Sequence, residues 1–429
     1  MSLPRISLLA AIALTLAIGG CKVDTINSFP VKPASVRFVG MVADALTLNV
    51  QQNSTAAWSD VPFAQPTAYQ QFNNTQTTFD VFAPGKTSAI TSISGSLAAQ
   101  QQYTIVAFGT VDNPQGLIQS DSFSTVNPGN TQLRFTHVAE GVNGLDVYLS
   151  SPGLALANVS PQYQLSYMNN TNFALTNSGV YELRLLRSNS GFVAFDSGTI
   201  TLPDQATETL YLYAKDATHA INVLSVDAAG NAALIPNTIA AVKVVNAAYQ
   251  AGAVDQKWDG TIGASNIAYP GATQTYYSIP VGTHLMTFEA TATPGATIAS
   301  ASETFVGATD STIMVSGANG SLIVSKLADS NLAPAPGVAT VRVVNASPDV
   351  PAFDVVIDGN VKATNVTYTN ASPYFNVDNS NHKVQFMVPG TMTPIFSIDS
   401  QQFGTQQVSS LYLMGPLSAL KKFLTQDNI

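Results

Sequence analysis

Residues 341–359 read VRVVNASPDVPAFDVVIDG, and residues 242–260 read VKVVNAAYQAGAVDQKWDG. Both stretches run from an apolar, β-branched strand through a polar loop into a second strand, and both end on an Asp-Gly turn. The same register continues through the Asn-Val pair at 365–366 and the Asn-Ile pair at 266–267. Because chance does not hold one register over that span, the chain contains repeats of domain size.

Two further repeats, with weaker similarity, begin at Val36 and Leu133, ahead of those that begin at Val242 and Val341. Short apolar strands separated by Pro-Gly, Asp-Gly and Asn-rich turns fill each repeat. Several such strands in about 100 residues favour a sandwich of the immunoglobulin type. At the end of the chain, residues 417–424 have apolar residues at helical spacing, but by repeat alignment we favour a closing strand there.

The N-terminus has the pattern of an export signal. Arg5 precedes an apolar run at 6–18 and a Gly-Gly pair, and Cys21 follows as the single cysteine of the 429 residues. The segment resembles the bacterial lipobox, in which the cysteine thiol is lipidated and becomes the mature N-terminus. An ordinary secretory signal with an incidental cysteine is the alternative. Lys22 stands where an aspartate would signal retention in the inner membrane, so the predicted location is the bacterial outer membrane, lipid-anchored, on its periplasmic or outer surface.

The predicted fold class is all-β: four tandem immunoglobulin-like β-sandwich domains after an N-terminal lipoprotein signal peptide. The predicted boundaries are 1–20 for the signal peptide, 21–35 for a tether, and 36–127, 131–229, 239–331 and 338–429 for sandwich repeats 1 to 4. With one cysteine, no disulfide can form within the chain, so each repeat must be held by its own apolar core.

Composition narrows the range of partners. Charged residues make up 10% of the chain and the net charge is −9. An acidic chain without basic runs argues against nucleic acid, whose phosphates require clustered lysine and arginine.

The fourth repeat carries a family resemblance. VRVVNASPD at 341–349 and FDVVIDG at 353–359 are similar to the signature of a bacterial family known as domain of unknown function 4397. The third repeat follows that pattern but has AYQ at 248–250 in place of SPD, and the first two repeats join it through the repeat alignment. The resemblance implies a β-sandwich outside the cytoplasm and brings no established activity.

Among the residues that could bind a metal ion, three aspartates come closest to forming a site. Asp349, Asp354 and Asp358 lie close together in the fourth repeat and can offer oxygens to calcium. The competing interpretation, which we favour, is capping of turns and strand ends. The histidines, His137, His219, His284 and His382, show no ligand spacing, and His137 occupies the repeat position of Asn246 and Asn345.

Aromatic residues offer a possible binding surface. Trp258 is expected in a core, whereas Tyr249 and the Tyr276-Tyr277 pair are candidates for exposure, because adjacent strand residues face opposite ways. No catalytic, cofactor-binding or metal residue is predicted, and Cys21 is the one predicted modification site.

The predicted function is a non-enzymatic cell-envelope lipoprotein that presents tandem sandwiches for adhesion, envelope structure or binding. Its partners would be the membrane, through the lipid, and an envelope protein or glycan. A carbohydrate-active hydrolase and a glycan-binding accessory protein are the alternatives.

Overall fold

The computed structural model describes residues 32–73, 76–188, 190–215, 220–318 and 320–428. Cys21, the signal segment and His219 lie outside the described residues. Within the described ranges the chain forms strands in eight sheets of four or five strands each, two sheets to a repeat. The all-β tandem-sandwich prediction is therefore confirmed.

Repeats 1 and 2 each start with a long strand and end with an antiparallel pair. The strands of repeat 1 are β1 (Ala34–Val42), β2 (Thr47–Gln52), β3 (Thr55–Pro62), β4 (Gln70–Phe72), β5 (Gln76–Phe82), β6 (Thr91–Ser96), β7 (Gln102–Gly109) and β8 (Pro114–Ser120). The strands of repeat 2 are β9 (Asn130–Val138), β10 (Gly144–Ser150), β11 (Tyr163–Ser166), β12 (Ala174–Asn177), β13 (Gly179–Arg187), β14 (Val193–Leu202), β15 (Thr207–Ala214), β16 (Ile221–Asp227) and β17 (Ala232–Ile235).

Repeats 3 and 4 follow the same order. The strands of repeat 3 are β18 (Ile239–Tyr249), β19 (Val254–Trp258), β20 (Thr261–Ile267), β21 (Gly271–Ala272), β22 (Tyr277–Pro280), β23 (Gly282–Ala290), β24 (Thr297–Phe305), β25 (Asp310–Ala318) and β26 (Ser321–Ala328). The strands of repeat 4 are β27 (Val338–Ala346), β28 (Ala352–Ile357), β29 (Asn360–Thr367), β30 (Phe375–Asp378), β31 (Asn381–Met387), β32 (Pro394–Gln402), β33 (Val408–Met414) and β34 (Lys421–Gln426). A 3₁₀ turn at Leu417–Ala419 precedes β34, so the predicted closing strand is confirmed.

Each repeat has an inner sheet, which contains its first strand, and an outer sheet. In the inner sheets the first strand pairs in parallel with a late strand of the same repeat, as β1 does with β7 and β27 with β33. The inner orders are β4-β1-β7-β8, β12-β9-β15-β16-β17, β21-β18-β25-β26 (with β22 also on β18) and β30-β27-β33-β34. The outer orders are β3-β2-β5-β6, β11-β10-β13-β14, β20-β19-β23-β24 and β29-β28-β31-β32.

The first strand of each repeat is buried on both faces. In repeat 4, Val341 and Val343 point into the repeat's own core, between its two sheets. Val344 and Ala346 point the other way, yet both are fully buried. Continuous apolar strands are typical of sheets covered on both sides, so something must cover the second face.

The cover is the inner sheet of a neighbouring repeat. Repeats 3 and 4 share one apolar cluster, formed by Val245, Ala247, Met314, Leu327, Val344, Ala346, Tyr412 and Met414. Repeats 1 and 2 share another, formed by Val39, Met41, Ala64, Val106, Phe108, Val138, Tyr211, Tyr213, Leu224 and Val226. The four repeats are therefore two pairs, each joined through facing inner sheets.

Buried charges cross both of these interfaces. Arg342 Nη2 donates to Asp329 Oδ1 over 2.5 Å, and Lys243 Nζ donates to Asp427. In the first pair, Arg134 Nη2 donates to Asp121 Oδ1 over 2.8 Å. Each of these cations thus binds a carboxylate from the other repeat of its pair.

Repeats 2 and 3 meet around one asparagine. Asn237 Nδ2 donates to the carbonyl oxygens of Ala194 and Ile221, and its Oδ1 accepts from the backbone N–H groups of Asp196 and Ile239. Because one side chain satisfies backbone groups on both sides, the connection between the pairs is a packed joint.

In the described residues, none of the helical structure has the length and hydropathy needed to span a bilayer.

Candidate functional site

The three aspartates proposed for calcium are occupied by backbone capping. Asp354 accepts from the N–H groups of Asn365 and Gly390, and Asp358 Oδ1 accepts from that of Lys383. Asp349 Oδ2 accepts from the N–H of Leu417, in a different loop. Across the described ranges, no three acidic, histidine or cysteine side chains gather as a metal site. The capping interpretation is confirmed.

This capping recurs in the outer sheets. Asn49 accepts from the N–H of Asp60 and Asp255 from that of Asn266, as Asp354 does from Asn365. The capped residues have φ near +50°, which Asn and Asp tolerate better than other non-glycine residues. The Asn and Asp residues of the repeat signature therefore form a strained bulge and the side-chain cap that stabilises it.

The described histidines also have structural roles. His137 Nδ1 accepts a hydrogen bond from the N–H of Ala139, two residues further along the chain. The Oδ1 atoms of Asn246 and Asn345 accept the equivalent hydrogen bond in repeats 3 and 4. This agrees with the predicted strand-end role. Burial lowers the pKa of His137 to about 4, so the imidazole is neutral at physiological pH.

His382 lies at a turn of repeat 4. Its Nδ1 is 2.6 Å from Asp358 Oδ2, and its Nε2 is 3.0 Å from the carbonyl oxygen of Asp378. Burial lowers the pKa of His382, but hydrogen bonds to these two acceptors outweigh it, and the pKa is raised. His284 makes the equivalent contacts with Asp259 and Pro280 in repeat 3. The histidine–aspartate contact therefore recurs at the same turn in repeats 3 and 4.

None of the three tyrosines expected to be exposed is fully exposed, and Tyr249 is half-buried beside the Tyr269 ring. Tyr276 is buried, and its hydroxyl donates to Asp329 Oδ2 at the interface with repeat 4. Tyr277 packs against the core of repeat 3 and donates to Gln256. The alternation of sides was predicted correctly, but the outward side of this segment faces another repeat. Trp258 packs against the core, as predicted.

A cavity of about 300 Å³ lies where repeats 2, 3 and 4 meet. We call it the junction pocket and define it by the residues Arg187, Ser188, Phe192, Tyr276, Asp310 and Asn331. Its volume is at the lower end of the range for small-molecule sites.

One wall of the junction pocket is the hairpin between β13 and β14. Arg187 and Phe192 flank its turn, and the N–H of Arg187 donates to the carbonyl oxygen of Phe192. The guanidinium carbon lies 5.5 Å from the centre of the Phe192 ring, in cation–π contact. Ser188 Oγ donates to Asp146 Oδ1, which fixes the outer end of the turn.

The opposite wall comes from repeat 3. Asp310 is the first residue of β25, and its Oδ2 accepts from Asn331 Nδ2 over 2.8 Å. Both side chains are buried. Tyr276 completes this wall with its ring while its hydroxyl reaches Asp329, so the pocket adjoins the charged interface of the second pair.

The pocket combines opposite charges in a partly desolvated place. Burial lowers the pKa of Arg187, and the negative charge of Asp310 counteracts that effect. The guanidinium stays protonated at neutral pH. The two walls together therefore present a cation, a carboxylate, an amide, a hydroxyl and two aromatic side chains within one small cavity.

No sequence motif marks these residues. They come from a hairpin tip, a strand start and a linker that together span more than 140 positions of the sequence, and they converge because the two pairs are docked. Arg187 carried no distinguishing signal, since its strand also contains the charged residues Glu182 and Arg184.

The family comparison agrees with the repeat analysis. The family model described as domain of unknown function (DUF4397) matches residues 34–148, 240–355 and 339–429, more than half of the chain. The chain belongs to the DUF4397 family. No curated protein matches this DUF4397 chain.

Some solved structures resemble it weakly. The Bacillus anthracis TIE protein is 8% identical, with 86% of this chain and 65% of that one covered and a TM-score of 0.16. A family CBM26 module of Eubacterium rectale Amy13K, solved with maltoheptaose, is 7% identical, with 47% and 95% covered and a TM-score of 0.15. The pneumococcal glycogen-degrading virulence factor SpuA is 9% identical, with 83% and 37% covered and a TM-score of 0.17. The DUF4397 chain thus spans less than two thirds of the TIE protein's length, and likenesses at these scores carry no functional information.

Proposed function

We propose that this DUF4397 chain is a non-catalytic envelope protein that binds a neutral, hydroxyl-rich ligand, such as a saccharide unit, in the junction pocket. One observation carries the proposal: Arg187, Asp310 and Asn331 line a single small cavity together with the Phe192 and Tyr276 rings. A sugar hydroxyl both donates and accepts, so it suits a wall in which donors and acceptors alternate. The apolar face of a sugar ring suits an aromatic wall.

The charge balance favours a neutral ligand. Arg187 and Asp310 carry opposite charges on the two facing walls of the pocket, and the negative charge of Asp310 acts on Arg187. An ionic ligand would upset that charge balance and leave one of the two charges uncompensated, which is costly away from water. A polyol can hydrogen-bond to both without separating them.

The same cavity is a poor arrangement for glycoside hydrolysis. Most glycosidases use two carboxyl groups about 5 to 9.5 Å apart across the scissile bond. Asp310 is the one carboxylate among the described residues that line the pocket. This supports binding without turnover.

Calorimetric titration with a panel of neutral mono- and oligosaccharides tests the proposal. We expect saturable binding to the unmodified chain and a loss of about tenfold or more in affinity for R187K and F192A. D399N, at an exposed position of repeat 4, serves as the control and should bind normally. Absence of binding across the panel, or equal binding by R187K, F192A and D399N, would refute the site, and release of reducing sugar would favour a hydrolase.

Lipid attachment through Cys21 is the second part of the proposal. The apolar segment, the small residues and the single thiol support it. Cells fed labelled palmitate should label the unmodified chain, whereas the C21S variant should stay unlabelled and leave the membrane fraction. Equal labelling of both chains would contradict lipidation at this residue. Protease treatment of intact cells would then distinguish surface display from periplasmic display.

A further inference from the structure

The two interfaces between paired repeats differ in charge. In each inner sheet, the residue that follows the last long strand donates its backbone N–H to a carbonyl oxygen of the adjacent strand. That carbonyl belongs to the residue two positions before a buried Thr or Ser. Asp121, Asp329 and Asp427 fill this position in repeats 1, 3 and 4. In repeat 2 the residue whose N–H donates to the carbonyl oxygen of Thr207 is Ala228.

The missing carboxylate has a defined counterpart in the other pair. Lys243 of repeat 3 binds Asp427 of repeat 4. Arg37 of repeat 1 stands at the position of Lys243, since each pairs in parallel with a buried threonine, Thr104 or Thr312. Arg37 therefore faces an alanine where Lys243 faces a carboxylate.

Arg37 is left with a partly satisfied guanidinium. It is 1% exposed. Its Nε donates to Thr104 Oγ1 over 2.8 Å, and its Nη1 donates to the carbonyl oxygen of Asp227 over 3.1 Å. Its Nη2 makes no hydrogen bond with any residue in the described ranges. A buried donor of a charged group without an acceptor is strongly unfavourable.

The neighbouring carboxylates are engaged elsewhere. Asp121 accepts from Arg134 at 2.8 Å and lies 3.8 Å from Arg37 Nε. Both carboxylate oxygens of Asp227 accept from Asn231, at 2.8 and 2.7 Å, so only its carbonyl reaches Arg37. The interface of the first pair thus holds two guanidinium groups against one carboxylate, whereas the second holds two cations against two.

We propose that a small monovalent anion of chloride size binds Arg37 at the Ala228 position and completes the charge of the first interface. The turn at Gly230 packs closely on the guanidinium, since a Cβ placed on Gly230 would lie 3.5 Å from Nη1, and this favours an anion of small size. Ala228 itself is shorter than aspartate by one carboxylate group, which sets the size of the anion. This site is separate from the junction pocket and does not rest on the function proposed there.

Thermal unfolding in sodium chloride and in sodium gluconate at equal ionic strength tests the site, because gluconate is too large to enter. We expect chloride to raise the Tm of the unmodified chain by about 2 °C or more. A228D supplies the carboxylate covalently, so it should have the same Tm in both salts and a higher Tm than the unmodified chain in gluconate. A229D adds the same charge at the exposed next position and should keep the chloride response.

An equal Tm in the two salts for the unmodified chain would overturn the proposal, as would a chloride response retained by A228D. Diffraction from crystals soaked in bromide gives a second test that needs no variant. An anomalous peak within hydrogen-bonding distance of Arg37 Nη2 supports the site, and bromide bound only elsewhere contradicts it.

Discussion

Replacing Asp427 with asparagine will lower the free energy of unfolding by about 3 kcal/mol or more, because removal of one partner from a buried ion pair leaves the other charge uncompensated. Asp427 is fully buried and binds Lys243, while Arg342 lies 3.9 Å from its other oxygen. Ser410 and Tyr374 also donate to it. Urea denaturation of the full chain measures the loss, and D399N, an exposed aspartate of the same repeat, should change stability little.

The effect of D427N should depend on pH in one direction. Burial raises the pKa of Asp427, but the charges of Lys243 and Arg342 and its hydrogen bonds outweigh this, and the pKa is lowered. Its contribution is therefore present above the ordinary aspartate range and is lost as pH falls through the lowered value. The difference in stability between the unmodified chain and D427N should shrink in acid. A difference that stays constant or grows in acid would contradict the pairing.

The second large effect is expected at Tyr412, which lies in the apolar cluster shared by repeats 3 and 4. The side chain is fully buried and packs near Phe423, with a ring-centre distance of 6.1 Å. Y412A would leave a large cavity between the two inner sheets and should cost about 3 to 5 kcal/mol in unfolding free energy.

The Y412F variant keeps the aromatic ring and removes only the hydroxyl. It therefore separates the effect of packing on stability from the effect of the polar group. The Tyr412 hydroxyl has no hydrogen-bond partner among the described residues. Its removal should change the unfolding free energy by less than about 1 kcal/mol. Comparable destabilisation by Y412F and Y412A would mean that the hydroxyl, rather than the packed ring, holds the interface.

The sequence predicted the units of this fold better than their association. A constant register between 242–260 and 341–359 was enough to find the repeats, because turn residues and apolar strands must recur where a sandwich recurs. The pairing of repeats was also encoded, in first strands whose second face is mostly apolar and buried around one cation, Arg342 in β27. That pattern indicates that the second face of the strand is buried, but it does not identify the surface that covers it.

Candidate-site residues were less predictable for a related reason. Asp354 and Asp358 stood out because they are close in sequence, and the structure uses them as caps. Arg187, Asp310 and Asn331 belong to distant segments, so their convergence depends on how one pair of repeats docks on the other. Ala228 attracts no attention as a residue, and it becomes informative only beside Asp427 in the superimposed registers.

Pairing gives the chain a physical character that separate domains would lack. A face that is shared between repeats cannot open in one repeat without exposing apolar surface in the other. Local disturbance should therefore spread within a pair and stop at the joint around Asn237. The junction pocket lies on that joint, next to the second pair.

Hydrogen exchange measured by mass spectrometry on the unmodified chain and on D427N tests this pairing most directly. We predict faster exchange in D427N at β18 and β25 of repeat 3 as well as at β27 and β33 of repeat 4, with β1 and β7 of repeat 1 unchanged. Faster exchange confined to repeat 4 would show that its inner sheet is stable without repeat 3, and would contradict the account.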